Sequence, residues 1–152
     1  MSDLLTIASR IDAAARFLQC VQPELDPEHR AVLEMCVRGL GLRIEAIRYA
    51  DALRQGHHCW MSQALRDDLA GTVPYEEMDE LPPDDLLDMY VTCRLFSTVS
   101  SIRLIEAIYL EDCSSTPRIE LGKAMFECLG WIESATRQLE RAITVHPVSH
   151  AA

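Results

Sequence analysis

The sequence predicts an all-α protein: an antiparallel four-helix bundle made of two helical hairpins, with a short extra helix and an acidic crossover connector. Apolar residues recur every three or four positions over long segments, and no segment shows the two-residue alternation of a half-buried strand. Proline follows a capping residue at Asp26-Pro27 and Thr116-Pro117, which is typical of a helix start. A bundle is the simplest way to bury four apolar stripes.

The first hairpin is predicted over residues 3–56. Its first helix runs from about Asp3 to Gln22, where Pro23 ends it. The second begins at Asp26-Pro27, with Asp26 as the N-cap, and ends near Gly56. The apolar positions are Leu4, Ile7, Ile11, Ala14, Leu18 and Val21 in the first helix, and Leu33, Cys36, Leu40, Ile44, Ile47 and Leu53 in the second.

The middle of the chain predicts a short helix followed by an irregular segment. The short helix covers about Cys59 to Leu69, with Trp60, Met61 and Leu65 as its apolar members. Residues 71–83 contain three prolines and read as the acidic connector between the two halves of the bundle.

The second hairpin follows the connector. One helix begins around Asp84 and continues to Tyr109, and the last begins at Thr116-Pro117 and ends at His146-Pro147. Residues 147–152 are expected to be a frayed tail. The predicted apolar positions are Met89, Cys93, Phe96, Val99, Ile102, Ile105 and Tyr109, then Leu121, Met125, Cys128, Ile132, Ala135, Leu139 and Ala142. A chain of 152 residues is long enough for one helical domain over residues 1–152.

The charge of the chain is concentrated in one short stretch. Between Asp67 and Cys93 there are nine acidic residues and neither lysine nor arginine, whereas the rest of the chain has 15 acidic against 14 basic residues. This balance disfavours binding to nucleic acid or to an anionic membrane, because both require compensating cations. A concentrated anionic patch selects a cationic partner instead.

The acidic connector is therefore the candidate binding site, for another protein with a basic surface. The predicted contact residues are Tyr75, Glu76, Glu77, Met78, Asp79, Glu80 and Leu81. The apolar members would supply anchors and the acids would steer association. Asp84, Asp85 and Asp88 are explained by the positive end of the following helix. The alternative is a solvated crossover without a partner. Calcium binding is disfavoured because the ligand spacing and turn glycine are missing.

No catalytic, metal or cofactor site is predicted. His57, His58 and Cys59 are consecutive, and adjacent residues on a helix point about 100° apart, so they cannot all face one ion. A Cys59–histidine dyad lacks an orienting group, and a di-iron site would need a Glu-x-x-His motif, which is absent. Gly39-x-Gly41 lacks the third glycine of a dinucleotide fingerprint. The six cysteines are expected to be reduced core residues.

The sequence thus predicts a small cytoplasmic protein that binds another protein, as an inhibitor, immunity partner, antiactivator or adaptor. A mimic of nucleic acid is a special case. One alternative is a structural homodimer that pairs through an apolar helix face. Another is a small-molecule sensor with a pocket between helices, lined by Tyr49, Trp60, Tyr90, Phe96, Tyr109 and Trp131. No signal peptide and no membrane-spanning segment are expected.

Overall fold

The computed structural model describes residues 3–112 and 115–145, and all regular elements within these ranges are helical. The all-α prediction is confirmed. The α-helices are α1 (Asp3–Val21), α2 (Pro27–Arg54), α3 (Gln63–Leu69), α4 (Pro83–Leu86), α5 (Cys93–Leu110) and α6 (Thr116–Val145). Two 3-10 helices cover Gln22–Glu24 and Tyr75–Glu80, and a π-helical segment, Leu87–Thr92, joins α4 to α5. The predicted end at His146-Pro147 and the tail 147–152 lie outside the described residues.

The four long helices pack against one another in pairs. α1 contacts α2 and α6, and α5 contacts α6 and α2. The α5–α6 pair is antiparallel, because Leu110 lies beside Gly122 while Arg103 pairs with Glu133 further along. The predicted apolar stripes of α1, α2 and α6 face this core. Residues without any exposed surface include Ile11, Leu18, Leu33, Leu40, Ile47, Ile132 and Leu139.

The end of α2 shows why Gly56 ends the helix. Gly56 has a φ of +77°, a left-handed backbone conformation that residues with a Cβ rarely adopt. The His57 amide donates to the Ala52 carbonyl at 2.9 Å, and the Gly56 amide donates to Leu53 at 3.0 Å. These two bonds form a Schellman motif, which satisfies carbonyl groups at the end of the helix.

The prediction of which face is buried is wrong for the residues at and just before the start of α5. Met89, Cys93 and Phe96 were expected to face inward, but Met89 is 46% exposed, Phe96 is 54% exposed and Cys93 is also on the surface. The buried face of this region consists of Leu95, Val99, Ile102, Ile105 and Tyr109. Because α5 is apolar on both faces, helical periodicity alone does not indicate which face is buried.

The π-helical segment precedes α5, and two side-chain hydrogen bonds in it span the same number of residues as the backbone bonds of a π-helix. The Thr92 hydroxyl donates to the Leu87 carbonyl at 3.1 Å, and the Cys93 thiol donates to the Asp88 carbonyl at 3.6 Å. Both bonds reach back five residues, the spacing of a π-helix. The wider turn rotates the residues that follow relative to those before it, and so affects which side of α5 meets the core.

Asp26 caps α2 only through its backbone position, and its side chain makes no capping hydrogen bond. Its carboxylate instead accepts a hydrogen bond from Arg118 at 2.8 Å, while its amide donates to the Tyr109 hydroxyl at 2.8 Å. The guanidinium of Arg118 lies 4.3 Å from the Tyr109 ring centre and also binds Asp112 at 2.5 Å. This cluster joins the start of α2 to the end of α5 and the start of α6.

The five cysteines within the described residues are free, as expected. Their predicted role in the core is correct for Cys128 and wrong for Cys20 and Cys93, which are exposed. Burial raises the pKa of the Cys128 thiol to about 12. No helix in the described ranges has both the length and the apolar character that crossing a membrane requires.

We expect Gly122→Ala to destabilise the protein by about 1–3 kcal/mol, as overpacked cores do. A Cβ at Gly122 would meet backbone and side-chain atoms of Leu110 at 2.9 Å, so α5 and α6 would have to separate. The matched control is Gly130→Ala on the same helix, where a Cβ would meet no atom within 4 Å. Alanine there should stabilise α6 by up to about 1 kcal/mol. Urea unfolding of both variants measures the difference, and equal effects would contradict the close contact.

We expect Asp26→Asn to lower the free energy of unfolding at neutral pH. We also expect this free energy to fall less steeply in the variant than in the wild type as the pH is lowered. The hydrogen bond from Arg118 lowers the pKa of the Asp26 carboxyl below its ordinary value of 3.8. Because the folded-state pKa is depressed, this contribution is fully present above about pH 4 and is lost as the pH falls through the folded value. Urea unfolding between pH 7 and pH 2 checks this. The exposed Glu24→Gln serves as a control, and an unchanged acid limb in Asp26→Asn would contradict the assignment.

Candidate functional site

The acidic segment is folded, and residues 75–80 form a 3-10 helix rather than the irregular segment that was predicted. The amides of Thr72 and Val73 both donate to the Leu69 carbonyl at 2.9 Å, which turns the chain after α3. Pro74 then precedes the 3-10 helix, and Met78 fixes it to the core with no exposed surface. The acidic side chains of this helix therefore have defined positions.

Four of the nine acidic residues between Asp67 and Cys93 are held by other side chains. The pairs are Asp67 with Gln63 and Tyr75, Asp68 with Arg43 and Tyr90, Asp79 with Arg66, and Asp84 with Arg54. Asp79 was predicted to contact a partner, but its carboxylate lies 2.7 Å from Arg66. Asp84 was assigned to the positive end of the following helix; it does lie in the first turn of α4, and its carboxylate also pairs with Arg54 from α2.

We call the other five acids the acidic surface: Glu76, Glu77, Glu80, Asp85 and Asp88. All five are exposed, and their side chains form no hydrogen bond or ion pair with any part of the chain that the structure describes. The 3-10 helix carries three of them, and α4 and the π-helical segment carry the other two. The charge of these five carboxylates is therefore available to interact with solvent or with a partner.

The apolar residues predicted as anchors of the acidic segment differ in exposure. Met78 is fully buried and Leu81 is half-buried against the core, so Met78 cannot contact a partner. Tyr75 is 47% exposed, and its hydroxyl donates to Asp67 at 2.5 Å. This hydrogen bond raises the pKa of Tyr75 and lowers the pKa of Asp67. Of the three predicted anchors, Tyr75 is the one that presents a ring to solvent.

Trp60, like Phe96, is an aromatic residue that was predicted to be buried and is exposed. It was predicted as an apolar member of a helix from Cys59, but the residues before α3 are not helical and Trp60 is 77% exposed. α3 begins at Gln63 because the Ser62 hydroxyl accepts from the Leu65 amide at 3.1 Å. Serine is a preferred N-cap residue, so Ser62 was the sequence signal for this later start.

The segment that carries Trp60 lies along α2, next to the acidic segment. The Cys59 thiol contacts the Tyr49 carbonyl at 3.9 Å, and Glu45 accepts two hydrogen bonds from Ser62 at 2.7 Å. Burial raises the pKa of Tyr49. The side-chain amide of Gln63, three residues after Trp60, lies 3.5 Å from the Tyr75 hydroxyl, which places the end of the Trp60 segment beside the start of the 3-10 helix.

Arg43, Asp68 and Tyr90 hold α3 and the π-helical segment against α2. Arg43 donates to Asp68 at 2.9 Å and to the Tyr90 hydroxyl at 3.0 Å, and the Tyr90 hydroxyl also donates to Asp68. Burial raises the pKa of Tyr90, and the bond to Asp68 raises it further. The Arg94 guanidinium lies 5.7 Å from the Tyr90 ring centre. The contacts among Arg43, Asp68 and Tyr90 fix the positions of the two elements that precede and follow the acidic segment.

In the described ranges, one group of potential metal ligands lies close together, namely Asp26, Glu28 and His29. Their ligand atoms are within 4.8 Å of one another. Asp26 is already bound to the Arg118 guanidinium, however, and this positive charge opposes a second cation. His57, His58 and Cys59 do not belong to such a group in this part of the chain. The ring of His58 instead lies 5.0 Å from that of Trp60.

A cavity of about 540 Å³ opens between the start of α1 and the ends of α2 and α6. Its lining residues are Asp3, Leu4, Thr6, Ile7, Asp51, Arg54, Gln55, Gln138, Arg141 and Ala142. None of the aromatic residues predicted to line a ligand pocket is among them. Tyr90 and Tyr109 are buried in the core, and Trp60, Phe96 and Trp131 are exposed.

No protein-family model, curated protein or solved structure matches this chain.

We expect Tyr90→Phe to cost about 1–3 kcal/mol of stability, because it leaves buried polar groups without their partner. Tyr75→Phe is the matched control. It also removes a hydroxyl bonded to an aspartate, but at an exposed site where water replaces the bond, so it should cost less than about 1 kcal/mol. Urea unfolding compares the two variants. Equal losses would show that the Tyr90 hydroxyl does not support the fold as described.

Proposed function

We propose that this protein acts by binding another protein, and that the acidic surface docks on a basic surface of that partner. The observation that carries the proposal is the division among the nine acids. Three are paired with arginines and Asp67 is hydrogen-bonded to Gln63 and Tyr75, while Glu76, Glu77, Glu80, Asp85 and Asp88 are exposed and unpaired. Unpaired charges of one sign attract an oppositely charged partner and raise its association rate.

Affinity also requires apolar contacts, and exposed aromatic rings adjoin the acidic surface. Tyr75 begins the 3-10 helix and is 47% exposed, and Trp60 is 77% exposed on the neighbouring segment. Tryptophan and tyrosine are enriched among the residues that dominate binding energy. Met78 was predicted as an apolar anchor but is buried. We therefore propose that Trp60, rather than Met78, is the apolar residue that contacts the partner.

The role is that of an inhibitor, immunity partner, antiactivator or adaptor in the cytoplasm, and it requires no catalytic residue. A partner that normally binds nucleic acid is a special case, since its binding site already presents the cations that carboxylates would contact. The scaffold in this proposal is an antiparallel four-helix bundle of two hairpins, α1–α2 and α5–α6. The pairwise helix contacts support that arrangement.

We expect the triple variant Glu76→Lys, Glu77→Lys and Glu80→Lys to lose the partner. The matched control is Glu24→Lys, Glu111→Lys and Glu127→Lys, which changes net charge equally at exposed positions outside the acidic surface. Quantitative mass spectrometry of proteins captured from the native cell compares both variants with the wild type. The expected result is one protein that the wild type and the control retain and the surface variant loses.

The captured protein is then purified and titrated with the wild-type chain at increasing salt. We expect its dissociation constant to rise with salt, because screening weakens attraction between exposed charges. Trp60→Ala should weaken binding by at least about tenfold. Identical capture by the two triple variants would overturn the proposal.

A further inference from the structure

The outer face of α5 and of the π-helical segment before it carries no charge. Between Asp88 and Glu111 every exposed residue is apolar or small and uncharged. We call these residues the neutral face: Met89, Cys93, Phe96, Ser97, Ser100, Leu104, Ala107 and Ile108. The two charged side chains nearest to its edges are engaged elsewhere, since Arg103 pairs with Glu133 and Arg94 lies over the Tyr90 ring.

The other long helices differ from α5 in this respect. Exposed charged residues include Arg10 and Arg16 on α1, Glu34, Arg38 and Arg48 on α2, and Lys123, Glu127, Arg137 and Arg141 on α6. A helix at a protein surface normally carries charge on its outer side, and a helix that is apolar all round is normally buried. Leu104 is 72% exposed and Phe96 is 54% exposed, so the neutral face lacks a cover within the described part of the chain.

We propose that the neutral face binds a second copy of this chain, with the two α5 helices antiparallel across a two-fold axis that passes near Ser100. This interaction involves a different helix from Glu76, Glu77 and Glu80 and does not depend on the partner proposed above; Asp88 alone lies at the edge of both surfaces.

The order of side chains along the neutral face fits such a pairing. Phe96 and Leu104 lie four residues on either side of Ser100, so the two-fold axis places Phe96 of one copy against Leu104 of the other. Cys93 and Ala107 are related in the same way. Serine at the crossing point is small enough to let the two helices approach closely.

Charge explains why a second copy fits this face better than other parts of the surface. The chain has a net charge of -10, so two copies repel one another wherever their charged surfaces meet. The neutral face removes this repulsion along most of α5 and leaves it at the ends, where Asp88 of one copy approaches Glu111 of the other. Added salt screens that remaining repulsion.

The size of the neutral face predicts a weak dimer. From Met89 to Ile108 the helix is roughly 29 Å long, and it is about 10 Å wide. This strip is smaller than the roughly 800 Å² that each partner buries in a standard interface.

Sedimentation equilibrium of the full chain from about 1 to about 500 µM tests the proposal, because weak complexes dissociate within this range. We expect a monomer–dimer equilibrium that strengthens, or stays unchanged, as salt is raised. Leu104→Glu should weaken the dimer by at least about tenfold, and Phe96→Glu should do the same. Ala13→Glu adds the same charge at an exposed position on α1 and should leave the equilibrium near that of wild type. Circular dichroism confirms that each variant is folded.

A disulfide tests the position of the axis. In a background with serine at Cys20, Cys93 and Cys113, Ser100→Cys should form an intermolecular disulfide on mild oxidation. The matched control is Ser97→Cys, because in the proposed dimer its two copies are offset by about 9 Å along the helix, beyond disulfide reach. A wild-type chain that stays monomeric throughout the concentration range would overturn the proposal. A dimer that Leu104→Glu leaves intact would also overturn it.

Discussion

A buried tyrosine hydroxyl must be hydrogen-bonded, and in this protein that requirement positions both candidate surfaces. Tyr90 is 1% exposed, and its hydroxyl contacts Arg43 from α2 and Asp68 from α3. Leaving such a group unpaired costs about 1–3 kcal/mol. Because Tyr90 also belongs to the π-helical segment, the same contact orients the chain that enters α5. The acidic surface lies between these anchored elements.

The charge distribution follows from this packing. Once α3 is held on α2, Arg66 reaches Asp79, and Arg54 at the end of α2 reaches Asp84. The arginines that flank the acidic segment in space thus neutralise part of it, although none occurs within it in sequence. The result is an acidic surface on the 3-10 helix, α4 and the π-helical segment, followed by a neutral face along α5.

Local sequence signals predicted the helices well where they are strong. Proline after Asp26 and Thr116, and glycine at position 56, correctly indicated where long helices start or end. These signals depend on backbone groups within a few residues, so no distant contact is needed to interpret them. The signal at Ser62 is weaker, and the apolar Trp60 before it led to a helix start that was too early.

Periodicity and composition are local properties, so they were enough to predict that the chain is helical and that its charge excess lies between Asp67 and Cys93. Which acids are unpaired depends on the packing of the helices, since Asp79 and Glu80 are adjacent in sequence but only Asp79 contacts an arginine. The same packing also determines which side of α5 is buried. Both outcomes depend on contacts between residues far apart in the chain, and such contacts leave no periodic signal.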